Sequence, residues 1–230
     1  MKKLLSAVLC LCFALPALAA EDKEQQRLQD SYSVMKAILG MSDKGIPTDL
    51  LNKSYCVVVF PSVKKAAFVV GGSYGRGVMT CRGGQSFRGP WSAPAFVALE
   101  GGSFGLQIGG QATDFVLLIM NEDGAKSVLK SKVKLGGDAS VAAGPVGRTT
   151  SAETDAAMKA EILSWSRNKG VFAGISLDGS TLRPDNDASK NYYHKDLDAQ
   201  QIIFEGAVKP IPPTAKPLVN LLDHMSPKRA

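Results

Sequence analysis

The stretch YCVVVFPSVKKAAFVVGGSYGRGVMTCRGGQSFRGPWSAPAFVALEGGSFGLQIGGQATDFVLLIMN, residues 55–121, decides the fold class. It is rich in valine, glycine and aromatic residues. Tyr55 to Phe60 is almost uniformly apolar, the pattern of a buried strand. Further strands are expected at 66–74, 77–82, 94–100, 103–108 and 113–121. Their short separations favour antiparallel hairpins over crossovers. Gly71-Gly72-Ser73-Tyr74-Gly75 is echoed by Gly101-Gly102-Ser103-Phe104-Gly105. An aromatic between glycines suits a sharply bent strand or a bulge.

Helices flank this sheet-forming stretch. Residues 21–41 place Leu28, Tyr32, Met35 and Leu39 at helical spacing, opposite a polar face. Such a helix either packs its stripe on the core or lies on a membrane. A short helix is expected over 46–52. Another follows over 122–131, capped by Asn121. Residues 160–166 and 171–177 read as a strand pair and Asp178-Gly179 as a turn. Residues 184–195 and 198–203 read as closing helices. The prolines from Pro210 to Pro227 suggest an extended tail. The class is α+β: a curved antiparallel sheet or partly closed barrel with flanking helices.

The first nineteen residues have the parts of a cleavable signal peptide. Lys2 and Lys3 precede an apolar run from Leu4 to Leu15, Pro16 breaks it, and Ala17-Leu18-Ala19 is a small-x-small cleavage site. The run is shorter than the roughly 20 residues of a membrane span. The expected organisation is a signal peptide over 1–19, one domain over 20–208 and a proline-rich tail over 209–230. The expected location is periplasmic or secreted. Cleavage removes Cys10 and Cys12 and leaves Cys56 and Cys81. In an oxidising compartment that pair invites a disulfide, with two buried free thiols as the alternative.

The chain has 27 basic and 21 acidic residues. Without Lys2 and Lys3 its net charge falls from +6 to +4. No acidic residue occurs from Cys56 to Leu99, where Lys64, Lys65, Arg76, Arg82 and Arg88 lie. Lys126, Lys130, Lys132 and Lys134 form a second basic group. Such zones suit an anionic partner or a solvated surface neutralised from elsewhere in the fold. Phe87 and Trp91 flank the turn Arg88-Gly89-Pro90, and Trp91 either dips into a headgroup layer or caps the core.

Enzymatic signals are weak. No serine lies in a G-x-S-x-G elbow, and neither His194 nor His224 has a partner motif. Gly71 to Gly77 lacks the lysine and helix of a phosphate loop. The cysteines and histidines have no zinc spacing. Asp178, Asp185, Asn186 and Asp187 suit turns and caps better than calcium. No cofactor, metal or nucleic-acid partner is expected.

Several segments together resemble the SYLF domain: VVVFPSVKKAAFVVGGSYGRGVM, WSAPAFVALEGGSFGLQIGGQATDFVLLIMN, KLGGDASVAAGPVGR and ILSWSRNKGVFAGISLDGSTLRPDNDASKNYY. They run in order across about residues 30–205. The resemblance implies lipid binding. Eukaryotic relatives bind phosphoinositides, fungal ones also bind and bundle actin, and bacterial ones look like exported lipid binders. An exported protein meets no cytoplasmic actin, so actin is not the expected partner. The expected function is non-enzymatic binding of anionic phospholipid or a membrane surface, with docking on an envelope protein as the alternative. Lys64, Lys65, Arg76, Arg82, Arg88, Lys126, Lys130, Lys132 and Lys134 are the expected headgroup contacts. Leu28, Tyr32, Met35, Leu39 and Trp91 are the expected apolar membrane contacts.

Overall fold

A computed structural model describes residues 15–41, 45–84, 86–145, 159–168, 171–174 and 177–227. Of the expected signal peptide over 1–19, residues 1–14 lie outside them, and residues 15–19 are helical. Among the described residues there are seven strands and six helices. The strands are β1 (Cys56–Cys81), β2 (Ala95–Ile119), β3 (Val133–Lys134), β4 (Val141–Ala143), β5 (Ile162–Asn168), β6 (Val171–Gly174) and β7 (Ser180–Pro184). The helices are α1 (Leu15–Leu39), α2 (Thr48–Lys53), α3 (Glu122–Lys130), α4 (Asn186–Tyr193), α5 (Ala199–Ile203) and α6 (Lys216–Met225).

The six strands expected between 55 and 121 are two. β1 and β2 pair antiparallel along their lengths, from Cys56↔Ile119 to Met79↔Ala95. Gly75-Arg76, the expected break between two strands, instead lies within β1. β1 also doubles back on itself. A Cβ on Gly75 would stand 2.5 Å from Val63 Cγ2, and one on Gly77 would stand 2.1 Å from the carbonyl oxygen of Val59. Real side chains cannot occupy such positions, so the two halves of β1 approach only because these positions are glycine. The fold-back is closed at its base. Arg82 N donates to Tyr55 O at 2.9 Å, and Cys56 is disulfide-bonded to Cys81.

The remaining strands extend the ribbon. β5 pairs with β2 from Asp114↔Arg167 to Ile119↔Ile162, and β7 pairs with β2 from Val97↔Pro184 to Gly101↔Ser180. β6 adds to β5, β3 to β7, and β4 runs parallel to β5. The sheet is therefore mixed through one short pair. The whole is an α+β curled half-barrel, as the sequence pattern leads one to expect.

Both faces of the sheet are covered, which explains the unbroken apolar run at its start. Cys56, Val58 and Phe60 join one core with Leu117, Ala125, Val128 and Ile202. Val57 and Val59 join a second core with Leu28, Met35, Ile38, Leu118 and Leu222. Successive side chains on a strand point to opposite faces. So α3 and α5 lie on one side of the sheet, and α1, α4 and α6 on the other.

Local chemistry sets the helix starts. The Asn121 side chain accepts from Gly124 N at 2.7 Å, and Asp198 with Gln201 forms a capping box. Gly179 makes the expected turn at a φ of 80°.

The tail is corrected. Residues 216–225 are helical, and Leu218, Val219 and Leu222 are buried in the second core. Pro217 falls in the first turn of α6, where a missing N–H costs nothing. The proline count hid the apolar spacing behind it. Residues 209–227 are thus part of the folded unit.

Two outcomes follow for stability. Replacing both Cys56 and Cys81 with alanine frees a closed loop with a sequence separation of 25 residues. Loop-closure entropy puts the loss at about 3.5 kcal/mol, readable as a lower denaturation midpoint. Leu222→Ala leaves a cavity beneath α6 and should cost about 2–5 kcal/mol in the same measurement. A loose tail would give no change.

Candidate functional site

The helix over the second core sets the site. The buried line of α1 runs Glu24, Leu28, Ser31, Met35 and Ile38, with Val34 beside it. This is a 3.6-residue periodicity that includes two polar residues. Tyr32 and Leu39 fall to its side, half-buried against the same core. The expected membrane-contact stripe is therefore corrected. Leu28 and Met35 are fully buried, and Tyr32 and Leu39 pack beside them. Among the described residues, no helix is long and apolar enough to cross a membrane.

The next positions around α1 face a cleft. Lys23, Gln26, Arg27 and Asp30 form one wall, and Pro61, Ser62, Lys64, Tyr74, Gly75 and Arg76 of β1 form the other. The cleft encloses about 600 Å³. The fold-back of β1 brings Lys64 and Arg76 together, since Val63 lies against Gly75. Pro61-Ser62 is a bulge in the β1–β2 register, and Ser62 has a φ of 60°. Asp114 Oδ1 accepts from Ser62 N at 2.9 Å, and Asp114 Oδ2 accepts from Arg167 Nε at 2.7 Å. The bulge is thus held from the neighbouring strands.

The floor of the cleft is a chain of charges. Arg27 pairs with Glu24, and its guanidinium sits 5.5 Å from the Phe96 ring centre. Arg76 Nε donates to Tyr74 Oη at 2.8 Å and lies 3.4 Å from Asp185 Oδ2. Asp185 also caps α4 by accepting from Ala188 N at 3.4 Å. That is the capping role expected of this acidic segment. Burial is the main cause that pushes the Glu24 carboxyl up, against the opposing pull of Arg27. Burial likewise lowers the Arg27 guanidinium, and Glu24 partly restores it. The Arg76 guanidinium is raised, first by its hydrogen bond with Tyr74. Lys23 and Lys64 lie exposed at the mouth. Tyr74 is 44% exposed.

The other expected cations do not converge there. Arg82 is corrected most sharply. It is fully buried, donates to Ser226 and stacks 4.2 Å from the Trp91 ring centre. Trp91 is 2% exposed, and its Nε1 donates to Ser226 O at 3.1 Å. Neither residue is available to a headgroup. Both lock the β1–β2 connection to the end of α6. Phe87 is likewise buried, edge-on to Tyr55 and Phe204. Arg88 is exposed on this connection, away from the cleft. Lys65 points to the other sheet face, over Phe115 at 5.7 Å. Lys126, Lys130, Lys132 and Lys134 are exposed on α3 and its exit, on the opposite layer, where Lys126 pairs with Glu122.

Of the nine expected cations, only Lys64 and Arg76 share the cleft. Lys23, Arg27 and Tyr74 are not among the expected contacts, and Asp185 is expected only as a turn or cap residue. Lys23, Arg27 and Asp30 sit at helical spacing, and Tyr74 and Arg76 two apart on a strand, so each pattern was there to read. Only the fold-back joins them. A second cavity of about 560 Å³ lies between the β1–β2 connection and residues 202–211 and is lined mainly by apolar side chains.

Comparison with known proteins follows the same residues. Residues 100–225 match the Ysc84 family model, described as a Las17-binding protein actin regulator. LAS seventeen-binding protein 3 of Saccharomyces cerevisiae is 32% identical over 210 residues, 90% of this chain and 44% of that protein. Protein YSC84 of the same yeast is 31% identical over 90% of this chain and 43% of that protein. Human SH3 domain-containing YSC84-like protein 1 is 29% identical over 92% of this chain and 60% of that protein. The chain therefore spans less than half the length of its yeast relatives. Matched over more than half its length by the family model, and over nine tenths by these relatives, the chain belongs to the Ysc84 family, whose SYLF domain its motifs resemble.

Proposed function

We propose that this chain is a non-enzymatic binder of anionic phospholipid headgroups, working at a membrane surface outside the cytoplasm through the cleft between α1 and β1. The observation that carries this reading is the convergence of Lys23, Arg27, Lys64 and Arg76 on one open cleft. Two of these side chains are already committed. Arg27 faces Glu24, and Arg76 faces Asp185. Lys23 and Lys64 at the mouth carry the charge that an incoming phosphate meets first. The lipid-binding character implied by the SYLF resemblance supports the same chemistry. The signal-peptide pattern and the bridged cysteines support the location, because disulfides persist in oxidising compartments.

Each surface cation near an anionic bilayer contributes about 1 kcal/mol. The attraction weakens with added salt, because exposed charges are screened beyond about 10 Å at moderate ionic strength. Headgroup contact by this route leaves α1 in place over the core.

A second reading is docking on a protein, as an adaptor. It is favoured by the relatives' names, one of which is a Las17-binding protein and whose family description is an actin regulator. On this reading the cleft takes an acidic protein surface instead of a lipid.

Vesicle flotation separates the two. The chain should float with phosphatidylglycerol-containing vesicles and not with phosphatidylcholine alone. Replacing Lys23 and Lys64 with glutamine should weaken that binding roughly thirtyfold at low salt without lowering thermal stability, since both side chains are exposed. Equal recovery on neutral and anionic vesicles would sink the headgroup reading. Co-sedimentation with actin filaments in the absence of vesicle binding would favour the adaptor.

A further inference from the structure

Two acid–guanidinium pairs lie beneath the cleft. Glu24 on α1 pairs with Arg27 three residues on, and Asp185 at the start of α4 pairs with Arg76 of β1 at 3.4 Å. The acids are the deeper partners: Glu24 is 3% exposed and Asp185 6%. The cations are not sealed off with them, because Arg27 and Arg76 both line the cleft. Each guanidinium thus has a buried carboxylate behind it and the open cleft in front.

The two pairs are built differently. Asp185 is tied into the backbone around it. Its side chain accepts from Ala188 N at 3.4 Å, its N–H donates to Phe96 O at 2.9 Å, and its carbonyl accepts from Ser189 N at 3.1 Å. Glu24 has no such support. Its Oε2 and Arg27 Nη1 are buried and form an ion pair without a well-aligned hydrogen bond. A carboxylate out of water and poorly hydrogen-bonded is costly to keep ionised, and taking up a proton removes that cost.

The charged groups facing Glu24 are Arg27 and Lys23 on its own helix, Asp185 at the start of α4 and Arg76 on β1. Burial outweighs the pull of the cations and holds the carboxyl above its ordinary value. The folded chain therefore takes up this proton at a higher pH than the unfolded chain does. Stability from this group rises as pH falls through the folded-state value. Protonation of Glu24 thus leaves α1 seated over the second core and changes the charge of the cleft instead.

We propose that Glu24 is a proton-operated counterion of the cleft: ionised, it cancels Arg27, and protonated in weak acid, it leaves the Arg27 charge to a lipid phosphate. The proposal rests on the headgroup reading above and adds its regulation. With both acids ionised the two pairs cancel, and Lys23 and Lys64 are offset by Asp30. The excess is one positive charge, which a proton on Glu24 raises to two. An incoming phosphate then takes the place of the Glu24 carboxylate as the partner of Arg27, whose planar guanidinium suits two phosphate oxygens at once. Attachment to an anionic membrane is therefore tighter in acid than near neutrality.

The test is flotation with vesicles of phosphatidylglycerol mixed with phosphatidylcholine at about pH 7.5 and about pH 5. The lipid phosphodiesters stay ionised at both. Glu24→Gln should bind about fivefold more tightly than the unmodified chain at the higher pH, with an unfolding midpoint no lower. On acidification the unmodified chain should gain about fivefold more than the variant does. Histidine also gains charge in this range, but the variant keeps His194 and His224, so the gap between the two chains is the quantity read. Carboxyl-carbon NMR of Glu24 in the unmodified chain gives a second readout, with a midpoint expected above the roughly 4.3 of an unperturbed glutamate. An equal response of the two chains to acid, or a Glu24 midpoint at or below that value, would overturn the counterion role and leave the headgroup reading standing. No flotation of the unmodified chain on anionic vesicles at either pH would overturn both.

Discussion

The fold-back of β1 is the contact on which the rest of the molecule depends. A single strand brings its two halves together at Val63 with Gly75 and at Val59 with Gly77. No side chain larger than hydrogen fits at either glycine. The base is fastened by the Cys56–Cys81 bridge and by the Arg82 N to Tyr55 O hydrogen bond. Because β2 is paired along β1, it must turn with it. Two separate stretches of β2 then become available, one to β5 and one to β7. The sheet curls around this turn, and its two faces acquire separate cores. Without the close approach at Gly75 and Gly77, Lys64 and Arg76 would lie on unrelated parts of the surface.

The same constraint organises the charges. Arg76 could be a free surface cation, yet it is tied to Tyr74 and to Asp185, the cap of α4. Arg27 is held by Glu24 and by Phe96. Ions taken out of water need such partners, because the cost of burying one unpaired is several kcal/mol. The floor of the cleft is therefore close to neutral and fixed in place. The positive excess comes from the two exposed lysines and is partly offset by Asp30 on the same wall. This division suits reversible attraction, since surface lysines give up little hydration when a phosphate approaches.

Much of this was legible in the residues. The α+β class, the Asn121 cap, the β5–β6 pair and the Asp178-Gly179 turn followed from local patterns, each of which depends on neighbours a few positions apart. The errors share a different cause. Gly75-Arg76 reads locally as a break between two strands, because a local window cannot distinguish a turn from a bend that another segment packs against. Arg82 was read as a surface cation, because its partners Trp91 and Ser226 are fixed only by the docking of α6. The prolines around α6 hid a helix whose burial decides its existence. On α1, Glu24 and Ser31 interrupt the buried line, so the apolar stripe seemed to pass through Tyr32 and Leu39. The cleft itself joins residues some forty positions apart, a distance that only the tertiary fold closes.

An amphipathic first helix suggests a simpler way to reach a membrane, by laying its apolar stripe on the lipid. The burial of α1 argues against it. Leu28, Val34, Met35 and Ile38 are each 2% exposed or less. Removing a side chain of that size from a core costs about 1.5–3 kcal/mol. Freeing four would cost on the order of 6–12 kcal/mol, comparable with the whole stability of a typical domain. A bilayer would return the transfer part of that cost. It would not return the packing of the second core left open behind the helix, where Val57, Val59 and Leu118 would meet water. Contact through the exposed lysines disturbs neither core. The surface that costs least to offer lies at the fold-back of β1, and there Lys64 and Tyr74 are exposed.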